Sequence, residues 1–405
     1  MKHLAALLLG ALLAWGCAGN QAGKSEKAEP SYVVRAWSFQ RLREVEGHLA
    51  GGDHAAAAEV LQRMEERKGL NEHERALMWR QRAHLHASQQ QYGPALKSLL
   101  TCLELNALPP VDTLAAQYNL AQLYLANERY GDAADTLVAW LGQTEEPPTD
   151  AVFMAATSLI RAKRRAEALP WLERAIAERG EQAPEDWVRL MANVLIEEGD
   201  YARAEGWLKR LIQSHPSKVY WLRLHAVYMQ LERPERALAV LQVMDREKML
   251  TEESELLSLA QRYMGAQMPE RAVKVMQRGL GSGVITENAE HLRLLANALV
   301  LSRMPDPAIA VLMRAGDLSA DGELYVSAAR LMMEKERYAD AVKALNKAFA
   351  TDGLKAPGEA YLLLGIARFH AGAMEAARQA FHRAKQVDST RQPAAQWLQH
   401  LEARQ

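Results

Sequence analysis

The stretch AYLLLGIARFHAGAMEAARQAFHRAKQ, Ala360 to Gln386, places three small residues, Gly365, Ala377 and Ala384, where two apolar helices would touch. Antiparallel helices joined by a short turn approach closely only where side chains are small. The same arrangement recurs along the chain. Anchored on Ala377, it is found at Ala57, Ala95, Ala133, Ala168, Ala204, Ala237, Ala272, Ala308 and Ala341, at spacings of 33 to 38 residues. A period in that range marks stacked helical repeats.

Two further columns accompany the anchors. Four residues later stand Leu61, Leu99, Leu137, Leu172, Leu208, Leu241, Met276, Leu312, Leu345 and Phe381, with no polar interruption. Twelve residues earlier stand Ala121, Ala156, Ala192, Ala260, Ala296, Ala329 and Gly365, which would face the anchors across each hairpin. Glu198-Gly199-Asp200, Arg233-Pro234 and Met304-Pro305 read as turns within hairpins, whereas Pro109-Pro110, Pro147-Pro148 and Gly281-Ser282-Gly283 separate one hairpin from the next. The pattern predicts an all-α array over residues 31–390. A last helix in 391–405, carrying Trp397 and Leu398, would cap its exposed end.

The columns Tyr361, Leu364-Gly365, Ala377, Phe381 and Ala384 resemble the tetratricopeptide repeat, and Tyr92, Tyr130, Tyr201 and Tyr338 recur three before the alanine as in that family. The resemblance spans Arg41 to about Gln386 in ten units; in the first, Val45 replaces the small residue and His54 the tyrosine. It implies a right-handed superhelical solenoid. A narrower resemblance runs through TLAAQYNLAQLYLANERYGDAADTLVAWL, YWLRLHAVYMQLERPERALAVL, HLRLLANALVLSRMPDPAIAVL and DGELYVSAARLMMEKERYADAVKALNKA. These are similar to tetratricopeptide-repeat proteins of Gram-negative bacteria associated with the TonB, ExbB and ExbD energy-transduction system. That family implies a periplasmic scaffold, and a component of the TonB system as its partner.

The 405 residues are 49% hydrophobic, 6% aromatic and 24% charged, the balance of a helix-rich chain. A formal net charge of −1 supplies no long-range field that would draw nucleic acid. The opening MKHLAALLLGALLAWGC has a basic start and an apolar run too short to span a bilayer, which fits an export signal over residues 1–17. Ala14-Trp15-Gly16-Cys17 resembles a bacterial lipoprotein box, although Trp15 departs from the residue usual there. Lipid on Cys17 would anchor the protein to a membrane, with residues 18–30 as a flexible tether. Ala18 favours the periplasmic face of the outer membrane over the inner membrane. The alternative is an ordinary cleavable signal and a soluble periplasmic protein. Cys102 is then the sole remaining cysteine, a small buried hydrophobe with no disulfide partner.

Nothing in the chain singles out catalytic chemistry. His84 and His86 stand two apart on a predicted helix and point to different faces, and there is no HExxH or paired-cysteine motif. The glycines of Gly279 to Gly283 follow no strand and precede no Lys-Ser/Thr. The sequence therefore predicts a non-enzymatic protein without cofactor or metal. Stacked hairpins would instead present a long concave surface lined by their first helices. Counting back from the anchors places Arg80, His84, Tyr118, Gln122, Arg189, Asn193, Gln261, Arg293, Asn297 and Arg330 on it. Asn and Gln each carry a donor and an acceptor, so a ladder of them suits the backbone of an extended peptide. Arg189 with Asn193 and Arg293 with Asn297 repeat an Arg-x3-Asn pair, similar to half of the carboxylate clamp of tetratricopeptide co-chaperones. The same residues could instead only solvate an exposed helix face. The expected role is a protein-interaction scaffold of the cell envelope beside a TonB-type system, or alternatively an adaptor in envelope assembly or cell-wall remodelling.

Overall fold

The computed structural model describes residues 32–351 and 354–403. The predicted leader, the tether and Cys17 lie outside them. Two compact units are formed, one running through Trp207 and the other beginning at Leu208.

The first unit opens with α1 (Ala36–Ala50) and α2 (His54–Glu66), α3 (Glu72–Ser88) and α4 (Tyr92–Glu104), α5 (Pro110–Ala126) and α6 (Tyr130–Leu141), and α7 (Thr149–Arg161) and α8 (Arg165–Arg179). It continues into α9 (Glu185–Glu197) and α10 (Tyr201–Ser214), and α10 carries the division between the units. The second unit contains α11 (Lys218–Gln230) and α12 (Pro234–Arg246), α13 (Glu253–Gly265) and α14 (Pro269–Gly281), and α15 (Ala289–Leu301) and α16 (Pro305–Ser319). It ends with α17 (Gly322–Glu334) and α18 (Tyr338–Phe349), α19 (Pro357–His370) and α20 (Met374–Lys385), and α21 (Arg391–Glu402). Helices pair in the order the alanine columns dictate. No strand occurs among the described residues.

All ten anchor alanines are fully buried. The column four residues on is buried throughout, with Leu312 at 5% its most exposed member. Burying a leucine or phenylalanine contributes roughly 1.5–3 kcal/mol, so each member of this column stabilises its repeat by about that much. Besides Val45 in the first repeat, one further position in the facing column is not small. His225 stands twelve before Ala237 and fits because its Nδ1 hydrogen-bonds the Ala237 carbonyl at 3.0 Å, while burial lowers its pKa.

The turn inside each hairpin repeats to the residue. Five before each anchor, the backbone is left-handed, at Gly52, Gln90, Glu128, Lys163, Gly199, Glu232, Gln267, Arg303, Glu336 and Gly372. The next residue then donates its N–H to a carbonyl five back in the first helix, as in Gln91 to His86 at 2.8 Å and Met304 to Leu299 at 2.9 Å. This is the Schellman closure, which satisfies the carbonyls a helix end leaves open. The closure fixes where the second helix starts and so which residues of the first remain on the open side.

Second helices are tied to one another by charge. Asp135 pairs with Arg164 at 2.5 Å, Glu173 with Arg203 at 3.0 Å, Asp245 with Arg278 at 2.5 Å and Asp317 with Lys347 at 2.8 Å. Exposed pairs of this kind add little stability individually.

Candidate functional site

The predicted row lies on the first helices, and the structure divides it sharply by how far its side chains are already engaged. On α3, Arg80 forms an ion pair at 2.9 Å with Asp112 at the start of α5. His84, one turn later, is half-buried; burial lowers its pKa, opposed by the charge of Glu46. On α5, the Tyr118 ring lies 4.8 Å from Trp140 of α6, burial raises its hydroxyl pKa, and Gln122 lies against that hydroxyl. Phe153 of α7 stacks on Trp187 of α9 at 4.1 Å with the planes 9° apart. Arg189 pairs with Asp186 of its own helix at 2.5 Å, and Asn193 is also engaged within the chain. In the first unit the row is largely filled by its own contacts.

The second unit differs between α13 and α15. Leu257 and Gln261, one turn apart on α13, face Arg293 and Asn297, one turn apart on α15. Together with Glu290, His291 and Leu294 they line a cavity of about 260 Å³. His291 is held in place, with Nδ1 at 2.7 Å from the Thr286 carbonyl. Among the described residues, Arg293 has no carboxylate within ion-pair distance, and the side-chain amides of Gln261 and Asn297 make no hydrogen bond. Arg330, on α17, is by contrast paired with Glu359 of α19 at 2.6 Å.

Repeat register explains why Arg293 lacks the inter-repeat partner that Arg80 has. Arg80 and Arg293 both stand fifteen before their anchors, and Asp112, which neutralises Arg80, stands twenty-one before the next anchor. The residue in that place for Arg293 is Ala320. Of the two Arg-x3-Asn pairs, only Arg293 with Asn297 is therefore open. Glu290, His291 and Leu294 were not in the predicted row, because counting one stripe per helix passes over residues on its flank; Glu290 lies one turn before Leu294 and three residues before Arg293, a spacing visible in the sequence. Val326, fifteen before Ala341 and so in the register of Arg293, is buried.

Among the described residues no group of three or more His, Cys, Asp or Glu is placed to hold a metal. Cys102 is free and fully buried, and burial pushes its thiol up to about 12. No helix among the described residues is long and apolar enough to cross a membrane.

Stacked hairpins with a small-residue seam and first helices open for contact between α13 and α15 define a helical-repeat protein. The chain is built of tetratricopeptide repeats: family descriptions of that repeat match residues 80–151 and 326–393, and a second description of the same repeat matches residues 159–227. Solved structures resemble it at low identity. YrrB, described as a TPR protein with an unusual peptide-binding site, is 17% identical, with 47% of this chain and 96% of that one covered and a TM-score of 0.37. A tetratricopeptide repeat protein from Parabacteroides merdae is 13% identical, with 64% and 98% covered and a TM-score of 0.33. MamA is 21% identical, with 40% and 92% covered and a TM-score of 0.33. No curated protein matches the chain.

Proposed function

We propose that this chain is a non-enzymatic scaffold that holds a protein partner by an extended segment laid across its first helices. The observation that carries the reading is the cavity between α13 and α15, where Gln261, Arg293 and Asn297 keep unmatched hydrogen-bonding groups beside the apolar Leu257 and Leu294. Donors and acceptors on neighbouring helices suit a peptide backbone, and apolar neighbours supply the burial that makes binding net favourable. Catalysis would need a poised acid, base or nucleophile, and Cys102, the free thiol among the described residues, is buried with its pKa raised by that burial.

The setting we propose is the bacterial envelope, tethered by lipid on Cys17 at the periplasmic face of the outer membrane and working beside a TonB-type system. The export-type opening MKHLAALLLGALLAWGC supports the location, and the resemblance of the repeat segments supports the partner. Crosslinking in intact cells followed by recovery of the chain tests the scaffold reading. Partner adducts should be recovered with the native chain and lost when Arg189, Asn193, Arg293 and Asn297 are all alanine, with helical circular dichroism unchanged. Full retention of adducts by the folded variant would move the interface to another surface.

A further inference from the structure

We infer that the cavity between α13 and α15 selects a peptide carrying one acidic side chain flanked by aliphatic residues, an inference that rests on the scaffold reading above. Its warrant is a difference among the arginines of the row, of which Arg80 and Arg189 share the register of Arg293 and Arg330 lies one turn further along its helix. In the other repeats, the arginines of the row already have carboxylates: Asp112 for Arg80, Asp186 for Arg189 and Glu359 for Arg330. Arg293 has none within ion-pair distance: Ala320 stands where Asp112 stands for Arg80, and Glu290, which holds the place of Asp186, lines the cavity without pairing with it. A guanidinium presents a planar fork that matches a carboxylate, so the partner can provide what the repeat lacks.

The surrounding groups narrow the choice. Leu257 and Leu294 offer apolar surface to aliphatic neighbours of the acidic residue. Gln261 and Asn297 stand on different helices, so they can pair with the peptide backbone on both sides of that residue. That arrangement favours an acidic side chain within a continuing chain over a terminal carboxylate. Glu290 sets an upper limit on charge, because it lines the same cavity and would repel a run of carboxylates. One acidic group can take the guanidinium of Arg293, which Glu290 does not pair with; a polyacidic tract does not suit the site.

Fluorescence anisotropy tests this with purified full-length chain in mild detergent. The probes are labelled dodecapeptides, amidated at the C-terminus, with a central Leu-Glu-Leu and matched Leu-Gln-Leu and Leu-Lys-Leu versions; a fourth ends in a free leucine carboxylate with no acidic side chain. The Glu peptide should bind about tenfold or more tighter than the Gln peptide, as a charge-assisted hydrogen bond implies. Arg293→Ala should abolish that preference, Arg293→Lys should restore part of it, and Glu290→Gln should strengthen binding of the Glu peptide several-fold. Raising the salt should erode the preference in the native chain and in Arg293→Lys, and change nothing in Arg293→Ala. Equal binding of the Glu, Gln and Lys peptides would overturn the acidic selection while leaving a peptide groove. Tighter binding of the terminal carboxylate would overturn the internal-segment assignment. If no peptide binds while the four-alanine variant still loses its cellular adducts, the acidic-aliphatic assignment fails and the scaffold reading stands.

Discussion

A Cβ placed on Gly365 would lie 2.4 Å from Cε1 and 2.5 Å from Cδ1 of Phe381, so the ring occupies the space a side chain would need. Phe381 is fully buried and stacks on Trp397 of α21, with centroids 5.5 Å apart and planes 8° apart. Glycine, phenylalanine and tryptophan thus form one layered contact through which α19, α20 and α21 are held. Gly365→Ala should destabilise the chain by about 1–3 kcal/mol, as overpacking does. Adding Phe381→Leu should return part of that loss, because the clash is specific to the ring. Thermal unfolding of the single and double variants checks the coupling; additive losses would contradict it.

The same logic applies to the anchors. Ala341 is fully buried, and Ala341→Leu should cost about 1–3 kcal/mol through displacement of the facing helix. An unchanged unfolding midpoint would contradict the repeat register.

The left-handed turn position predicts gains as well as losses. Gln90 and Glu232 adopt φ of 59° and 54°, a region costing a side-chain-bearing residue roughly 1–2 kcal/mol. Glycine avoids that cost but gives up about 0.5–1 kcal/mol of backbone entropy, so Gln90→Gly and Glu232→Gly should each stabilise by up to about 1 kcal/mol. Gly199 already holds the position at φ 78°, and Gly199→Ala should destabilise. Chemical denaturation measures all three.

Acid should weaken one end of the array through Glu74. This carboxylate is fully buried; burial alone would raise its pKa, but hydrogen bonds from Arg35, from the Arg35 and Asn71 backbone and from Ser38 hold it down at about 2. The folded pKa is below the ordinary 4.5, so the stabilisation is complete above pH 4.5 and is lost as pH falls towards 2. Arg35 is half-exposed, which reduces the net worth of the pair. Arg35→Ala should lower the unfolding midpoint at pH 7, and its gap from the native chain should narrow by pH 3. A constant gap would contradict the linkage.

Much of this architecture could be read from the residues, because the helix seam admits only small side chains and the alanine column therefore records every hairpin. Turn proline and glycine marked several boundaries correctly, as at Pro110 and Pro305, which open α5 and α16. The left-handed turn was less visible, since seven of its ten positions carry Gln, Glu, Lys or Arg and the backbone closure imposes the conformation on them. His225 escaped for a related reason: its ring enters a small-residue position only because a backbone carbonyl receives it. The row of first-helix residues was legible from spacing. Which of them remain unmatched was not, because that depends on ion pairs with the next repeat, such as Arg80 with Asp112, set by residues about thirty positions away.

The most direct test of the account places a photo-crosslinking amino acid at Gln261 or Asn297 on the first helices, and at Lys274 or Gln277 on the exposed side of α14, in cells producing the full chain. The account predicts partner adducts from Gln261 and Asn297, competed by the purified Leu-Glu-Leu peptide, and none from Lys274 or Gln277. Adducts arising only from Lys274 and Gln277 would contradict it.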